Sequence, residues 1–176
     1  MKYVTFLAVL SAANIGAQTG AQTSMPKPPT LEFAFEVNAK VAPPDKIPAK
    51  GGERRIVPVT GGTFEGPKVK GKVLPGGADY QLIHADGFTE VEAHYVLETD
   101  RGERVYVTNV GMRHAPPDVI AELNAGKLVD PAKVYFRTSP TFETDAPRLQ
   151  WMTRALFVCT GERYPDGVKI RFYEVK

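Results

Sequence analysis

The chain has 176 residues, 43% of them hydrophobic and 24% charged, with a formal net charge of +2. That length holds one domain with a real core, and so slight a positive balance leaves no electrostatic basis for a nucleic-acid or anionic-membrane partner. Cys159 is the single cysteine, which excludes an internal disulfide and leaves stability to apolar burial.

The N-terminus has the composition of a targeting segment. Met1-Lys2 is a short positive start, Tyr3 to Gly16 is apolar without an acidic residue, and Ala17 or Ala21 supplies a small residue for cleavage. Residues 1–21 are expected to be a secretory signal peptide, too short for a transmembrane helix. A polar, proline-rich linker over 22–30 and a single domain over 31–176 follow. The expected location is secreted or periplasmic.

In the domain, Leu31, Phe33, Phe35, Val37, Ala39 and Val41 alternate with Glu32, Ala34, Glu36, Asn38 and Lys40. A period of two marks a half-buried strand, which Pro43-Pro44 ends. Ile56 to Thr60 predicts a second strand, broken at Pro58. Pro58 to Leu82 carries Gly61-Gly62, Gly66-Pro67 and Gly76-Gly77. Glycine supplies φ > 0 and proline fixes φ, so this stretch predicts hairpins. Within it, Pro67 to Leu74 sets Val69, Gly71 and Val73 against Lys68, Lys70 and Lys72.

Asp79 to His84, Val91 to Glu98 and Arg104 to Val110 predict three further strands, with tight turns at Asp86-Gly87 and Asp100-Arg101-Gly102. Val91, Ala93, Tyr95 and Leu97 share one face, as do Val105, Val107 and Asn109. One short helix is expected over about 116–125, opened by Pro116-Pro117-Asp118 and stopped by Gly126. Asp130 is placed to cap a single turn. Strands resume over Val134 to Ser139, near Thr141 to Glu143, over Leu149 to Thr160 and over Val168 to Val175.

Short strands joined by tight turns, without βαβ alternation, predict an all-β fold: a single antiparallel β-barrel of about 8–10 strands, with a β-sandwich as the alternative. Charges on the outward faces, among them Lys68, Lys70, Lys72, Glu90, Glu92 and Arg171, argue against an outer-membrane barrel.

No nucleophile elbow, phosphate-binding loop or paired-cysteine motif is present, and His84, His94 and His114 are not spaced as ligands on one element, so neither a metal nor another cofactor is expected. Cys159 lies in an apolar run and reads as a buried small hydrophobe. The informative residues are polar ones in strands whose inner face should be apolar. Asp79 and Gln81 share a face, Tyr95 and Asn109 interrupt apolar faces, and Arg113 stands at a strand exit. Tyr135 and Arg137 share a face, Glu143 follows Phe142, and Trp151 and Arg154 fall in LQWMTRALF. Buried ions are costly unless paired, so these residues predict either internal pairs, such as Arg137 with Glu143 or Asp79 with Arg113, or a wet pocket at the barrel mouth.

The enzymatic reading assigns proton transfer next to a carbonyl, in a lyase, isomerase or dehydratase. Asp79 or Glu143 would be the base, Arg137 or Arg113 the anion holder and Tyr95 the hydrogen-bond donor. Gln81, Asn109, Tyr135, Phe142 and Trp151 would line the ligand site. The alternative is a non-catalytic barrel, either one that captures a small ligand or a structural one. A small organic molecule is the expected partner, and a homodimer accords with the prevalence of twofold assemblies.

The runs VTGGTFEGP, GKVLPGGADYQL, ETDRGERVYVTNVGMR, VYFRTSPTFET and LFVCTGERYPDGVKIRFYEV together resemble the uncharacterised β-barrel family called domain of unknown function 3237, also uncharacterised protein family 0311. The resemblance spans Leu31 to Val175 and implies one antiparallel barrel without implying an activity. Where relatives usually carry Trp-Leu-Asn, this sequence has Trp151-Met152-Thr153, a hydroxyl in place of an amide.

Overall fold

The computed structural model describes residues 25–176. The expected signal peptide and both cleavage positions lie outside them. Residues 25–30 run without regular structure into a barrel built from β1 (Leu31–Val41), β2 (Asp45–Ala49), β3 (Gly52–Glu65), β4 (Lys70–Val73), β5 (Gly77–His84), β6 (Thr89–Thr99), β7 (Arg104–His114), β8 (Tyr135–Glu143), β9 (Phe157–Tyr164) and β10 (Gly167–Val175). All pairings are antiparallel. β1 pairs with both β10 and β3, which closes the sheet on itself. β2 continues β1 along the same side of β3, and β4 and β5 share the place between β3 and β6. The ten strands thus fill the eight positions of a closed barrel, and closure leaves few free edges.

β3 is longer than its sequence suggests. It passes through Pro58, whose missing N–H falls between the stretch paired with β2 and the stretch paired with β1. It also passes through Gly61-Gly62, an expected turn. Both glycines sit at φ +141, and a Cβ on Gly62 would meet the Asn38 carbonyl oxygen at 2.2 Å. The pair bends one continuous strand so that its first part pairs with β5 and its last part with β4.

A second correction concerns β1. Its register shifts between Phe33 and Phe35, so the alternation changes phase. Ala34 turns inward, and Leu31 and Phe33 stay exposed. The extra residue of a bulge has this effect in a strand of period two.

The expected helix is α1 (Pro117–Asn124), which buries Val119 and Leu123. Asp130 Oδ1 accepts the Ala132 N–H at 3.0 Å and caps a 3-10 turn over Pro131–Lys133. The strand expected from Leu149 is instead a 3-10 turn (Pro147–Leu149) running into α2 (Gln150–Thr153) before β9 begins at Phe157. Leu149 and Met152, three apart, point the same way and are fully buried. They plug one end of the barrel, a role helical spacing fits better than alternation.

That end is packed with aromatic side chains. Phe35 stacks on Phe172 with ring centroids 4.3 Å apart, and Phe142 meets Phe157 edge-on at 5.2 Å. Leu97 and Val105 fill the space between strands. The exterior carries ion pairs, such as Glu36 with Lys169 and Arg171, and Glu98 with Lys72 and Arg104. Among the described residues no helix is long and apolar enough to cross a membrane.

Candidate functional site

The opposite end is hollow. Where the packed end has phenylalanines, the inward positions here are Ala39, Val57, Val91 and Ala93, and their small size leaves a cavity of about 510 Å3. It opens between the β1–β2 joint at Pro43-Pro44 and the β9–β10 turn at Pro165-Asp166.

Register explains which polar residues meet there. Val57, Asp79, Ala93 and Asn109 are successive partners across β3, β5, β6 and β7. One inward step towards the mouth, Arg55, Gln81, Val91, Gly111 and Thr138 form the next rung. Arg113 and Phe136 are partners one step further. Tyr95, opposite Val107, lies one step the other way, against the packed core.

Six side-chain atoms in the described residues are buried without a hydrogen-bond partner there: Asp79 Oδ1, Tyr95 Oη, Asn109 Oδ1, Arg113 Nε, Thr138 Oγ1 and Arg163 Nη1. All six residues line this one cavity. Leaving a buried polar group unpaired costs about 1–3 kcal/mol. Their concentration around one apolar-walled space makes it the candidate site.

Asp79 is the centre of the set. As a residue it is half-buried, yet its Oδ1 is shut off from solvent. Burial raises its pKa, against the opposing effects of the Gln81 hydrogen bond and the Arg113 charge. Gln81 Nε2 donates to Asp79 Oδ2 at 2.5 Å. A proton on this carboxyl therefore resides on Oδ1, the oxygen without a partner among the described residues. Burial likewise pushes the Tyr95 phenol up, so it stays a neutral donor. Asn109 is near enough to oppose that shift but makes no hydrogen bond to the hydroxyl.

Three arginines reach the same space. Arg55 is engaged by Glu53. Arg113 is 5% exposed. Burial, then the neighbouring Arg163 charge, lower its pKa to about 10, so it remains charged at neutral pH. Arg163 is also pushed down, by burial and then by Arg55. Neither Arg113 nor Arg163 has an ion-pair partner among the described residues, so the expected Asp79–Arg113 pair does not form as a contact.

The structure brings together Asp79, Gln81, Tyr95, Asn109 and Arg113. It sends the other sequence candidates elsewhere. Burial along β8 alternates with Phe136, Thr138, Pro140 and Phe142 inward and Tyr135, Arg137 and Glu143 outward. Arg137 lies over the Tyr135 ring at 5.2 Å on the exterior. It cannot pair with Glu143, six residues away along the same extended strand, about 20 Å. Phe142 belongs to the packed core. Trp151 lies at the plugged end, 5.9 Å from Phe157 and under Lys68. These five depart from the site: Tyr135, Arg137 and Glu143 because apolar Phe136 and Phe142 set the phase of β8, Phe142 because it fills the packed end, and Trp151 because it is part of the plug.

Arg55, Thr138 and Arg163 are site residues the sequence reading passed over. Each is in phase with apolar inward neighbours: Arg55 with Val57 and Val59, Thr138 with Phe136 and Phe142, Arg163 with Phe157 and Cys159. Extending the period of two would have placed them. Cys159 is buried, and burial raises its thiol pKa to about 12. His84 bonds Glu90, His94 bonds Glu92 and Tyr106, and His114 stacks on Tyr135, all on outward positions. No trio of His, Cys, Asp or Glu among the described residues is placed to hold a metal ion.

Comparison with known proteins places this barrel among relatives. A UPF0311 protein from Rhodopseudomonas palustris is 43% identical over 150 residues, 84% of this chain and 98% of that protein. The crystal structure of a conserved protein of unknown function from the same species superposes with a TM-score of 0.81 at 40% identity, covering 86% of this chain and all of the other. A β-barrel-like protein from Acinetobacter baumannii gives 0.76 at 35% identity, covering 86% and 99% of the two chains. A protein named as a hydroalkoxylation enzyme, from Penicillium herquei, is 31% identical over 107 residues, 60% of this chain and 66% of that protein. The family model described as protein of unknown function (DUF3237) matches residues 29–175, and with 40–43% identity to UPF0311 proteins over most of its length, the chain belongs to that family.

Proposed function

We propose that this protein is an exported acid–base enzyme of lyase, isomerase or hydro-addition type, acting on a small, largely apolar organic molecule with a carbonyl group or a C=C bond. The observation that carries this reading is the Asp79 carboxyl, with Oδ2 held by Gln81 and Oδ1 buried without a partner among the described residues, on a residue that lines an apolar-walled cavity. A carboxylic acid whose pKa burial raises can deliver a proton at a pH where an exposed carboxylate cannot.

The chemistry closes within a substrate that carries both a C=C bond and a hydroxyl group. The Asp79 Oδ1 proton passes to one carbon of a C=C bond, and a hydroxyl oxygen bonds to the other. The hydroxyl's proton then goes to the Asp79 carboxylate and restores the acid. One O–H bond and one C=C π bond are lost, one C–H and one C–O bond are gained, and the protein ends as it began. Tyr95, kept neutral, donates to a carbonyl or developing oxyanion, and the Arg113 charge steadies the transient carboxylate. The relative from Penicillium herquei, named for hydroalkoxylation, supports this class of reaction. The apolar Tyr3–Gly16 stretch supports export, which N-terminal sequencing of protein recovered outside the cytoplasm tests.

The decisive experiment incubates mature protein with small aryl enones and alkenols in deuterated water and follows deuterium incorporation and adduct formation by NMR. Incorporation by the wild type and its loss in Asp79→Asn are expected. A ligand that binds wild type and Asp79→Asn equally, with no incorporation from any substrate, would leave a non-catalytic binding barrel.

A further inference from the structure

We infer that the cavity contains an anion subsite in which Arg113 and Arg163 hold the carboxylate of a small organic acid, its apolar body running inward to Asp79 and Tyr95. The inference deepens the acid–base reading and rests on it only for which end of the ligand reacts.

The paired arginines of this chain show what a structural arginine looks like. Arg55 has Glu53, Arg104 has Glu98, Arg148 has Glu103, and Arg171 has Glu36 and Glu162. Arg113 and Arg163 differ. Arg113 is 95% buried by its 5% exposure, its Nε has no partner among the described residues, and the same holds for Arg163 Nη1. Asp79 offers no full compensation, because it makes no contact ion pair and its burial favours the protonated form. Asp166, at the mouth, makes no ion pair with either guanidinium. Two positive charges therefore face an apolar-walled cavity unbalanced. A buried charge without its counter-ion is strongly unfavourable, and the Arg163 charge raises the cost of Arg113.

Geometry selects the kind of anion. A guanidinium is a planar fork that matches a carboxylate through two parallel N–H···O bonds. Arg113 and Arg163 stand on β7 and β9, on either side of Phe136 in β8. The Phe136 ring lies 5.8 Å from the Arg113 guanidinium carbon. Opposite Phe136, Gly161 has no side chain, and a Cβ there would lie 2.3 Å from the ring. Phe136 is thus seated between the two arginines as an aromatic wall, and it favours an aryl or alkenyl acid over a phosphate or a sugar acid. Along β7, Arg113 lies four residues from Asn109, whose rung holds Asp79. A carboxylate at the arginines leaves the ligand's far end at the acid.

The test is calorimetric titration of mature protein with benzoate, cinnamate and 3-phenylpropanoate, each beside its primary amide. At least one carboxylate is expected to bind about tenfold or more tighter than its amide. The preference should vanish in Arg113→Met and Arg163→Met and weaken in Arg113→Lys, which keeps the charge but loses the fork. Arg113→Met is also expected to melt at a higher temperature than the wild type without ligand, since it removes an unpaired buried charge. No preference for any of the three carboxylates, binding absent included, overturns the subsite. So does a preference that survives both methionine variants, or a lower melting temperature in both. Asp79→Asn should keep the carboxylate preference. Preference without proton transfer from any substrate sinks the acid–base reading alone, and proton transfer without the preference sinks the subsite alone.

Discussion

Gln81 Nε2 donates to Asp79 Oδ2 at 2.5 Å, from two residues further along the inward face of β5. That bond leaves Oδ1 as the carboxyl oxygen without a partner among the described residues. The cavity surrounds it with apolar walls, and the resulting desolvation favours the acid over the carboxylate.

The pH dependence of stability follows from that shift. The pKa of Asp79 rises on folding from its ordinary value of 3.8, so the folded protein binds this proton more tightly than the unfolded chain does. The stability it contributes is complete below 3.8 and is lost as pH rises through the folded value. Asp79→Asn lacks this loss. It should melt above the wild type at about pH 7, with the gap narrowing as pH falls towards 3.8. Thermal melts of both proteins across that range check it, and a gap independent of pH would contradict the shift. The same substitution should lower turnover by about 10²–10⁴.

Tyr95→Phe removes a buried hydroxyl that has no partner among the described residues. Urea denaturation should show it equal to the wild type or more stable by up to about 1 kcal/mol. Turnover should drop about tenfold or more if the hydroxyl donates to the reacting oxygen.

Glu143→Gln and Arg137→Ala change outward positions of β8. Each should shift stability by no more than about 0.5 kcal/mol and leave ligand affinity and turnover unchanged. Loss of activity in either would move the site out of the barrel interior.

The Gly61-Gly62 bend separates two costs. Both glycines share φ +141, but a Cβ on Gly61 would find its nearest atom at 3.7 Å, whereas one on Gly62 would meet the Asn38 carbonyl oxygen at 2.2 Å. Gly61→Ala should cost only the strain of a Cβ-bearing residue at this φ, about 1–3 kcal/mol. Gly62→Ala should lose clearly more, because β1 must move off β3 where the barrel closes. Denaturant midpoints of the two variants decide the order.

Cys159 is buried with its thiol pushed up to about 12. A thiol-specific chromogenic reagent should not label the native protein at about pH 8, and the labelling rate should follow the unfolding rate. Rapid labelling of native protein would place Cys159 at an accessible surface.

Alternation made most strands legible. Val91, Ala93, Tyr95 and Leu97, and Val105, Val107 and Asn109, all face inward as their spacing requires. The helix with its prolines and Asp118, and the Asp130 cap, were equally local. Asp79, Gln81, Tyr95, Asn109 and Arg113 stood out because polar residues broke apolar faces. In β8 two chemically suggestive residues, Tyr135 and Arg137, competed with Phe136 and Thr138 for the inner face, and the choice depended on burying two phenylalanines. At the Trp151 turn, an apolar run fitted strand and helix alike, and only the open end of the barrel required a plug.

Residue order by itself determined the strands, most of their faces and the membership of one barrel family, because side-chain period and turn chemistry act over a few residues. Tertiary structure alone decided that one end is packed with phenylalanine while the other is hollow, and that the residues carrying buried unpaired polar atoms, Asp79, Tyr95, Asn109, Arg113, Thr138 and Arg163, line a single space. Those facts depend on cross-strand register and barrel closure, which join residues far apart in the chain and leave no local mark on it.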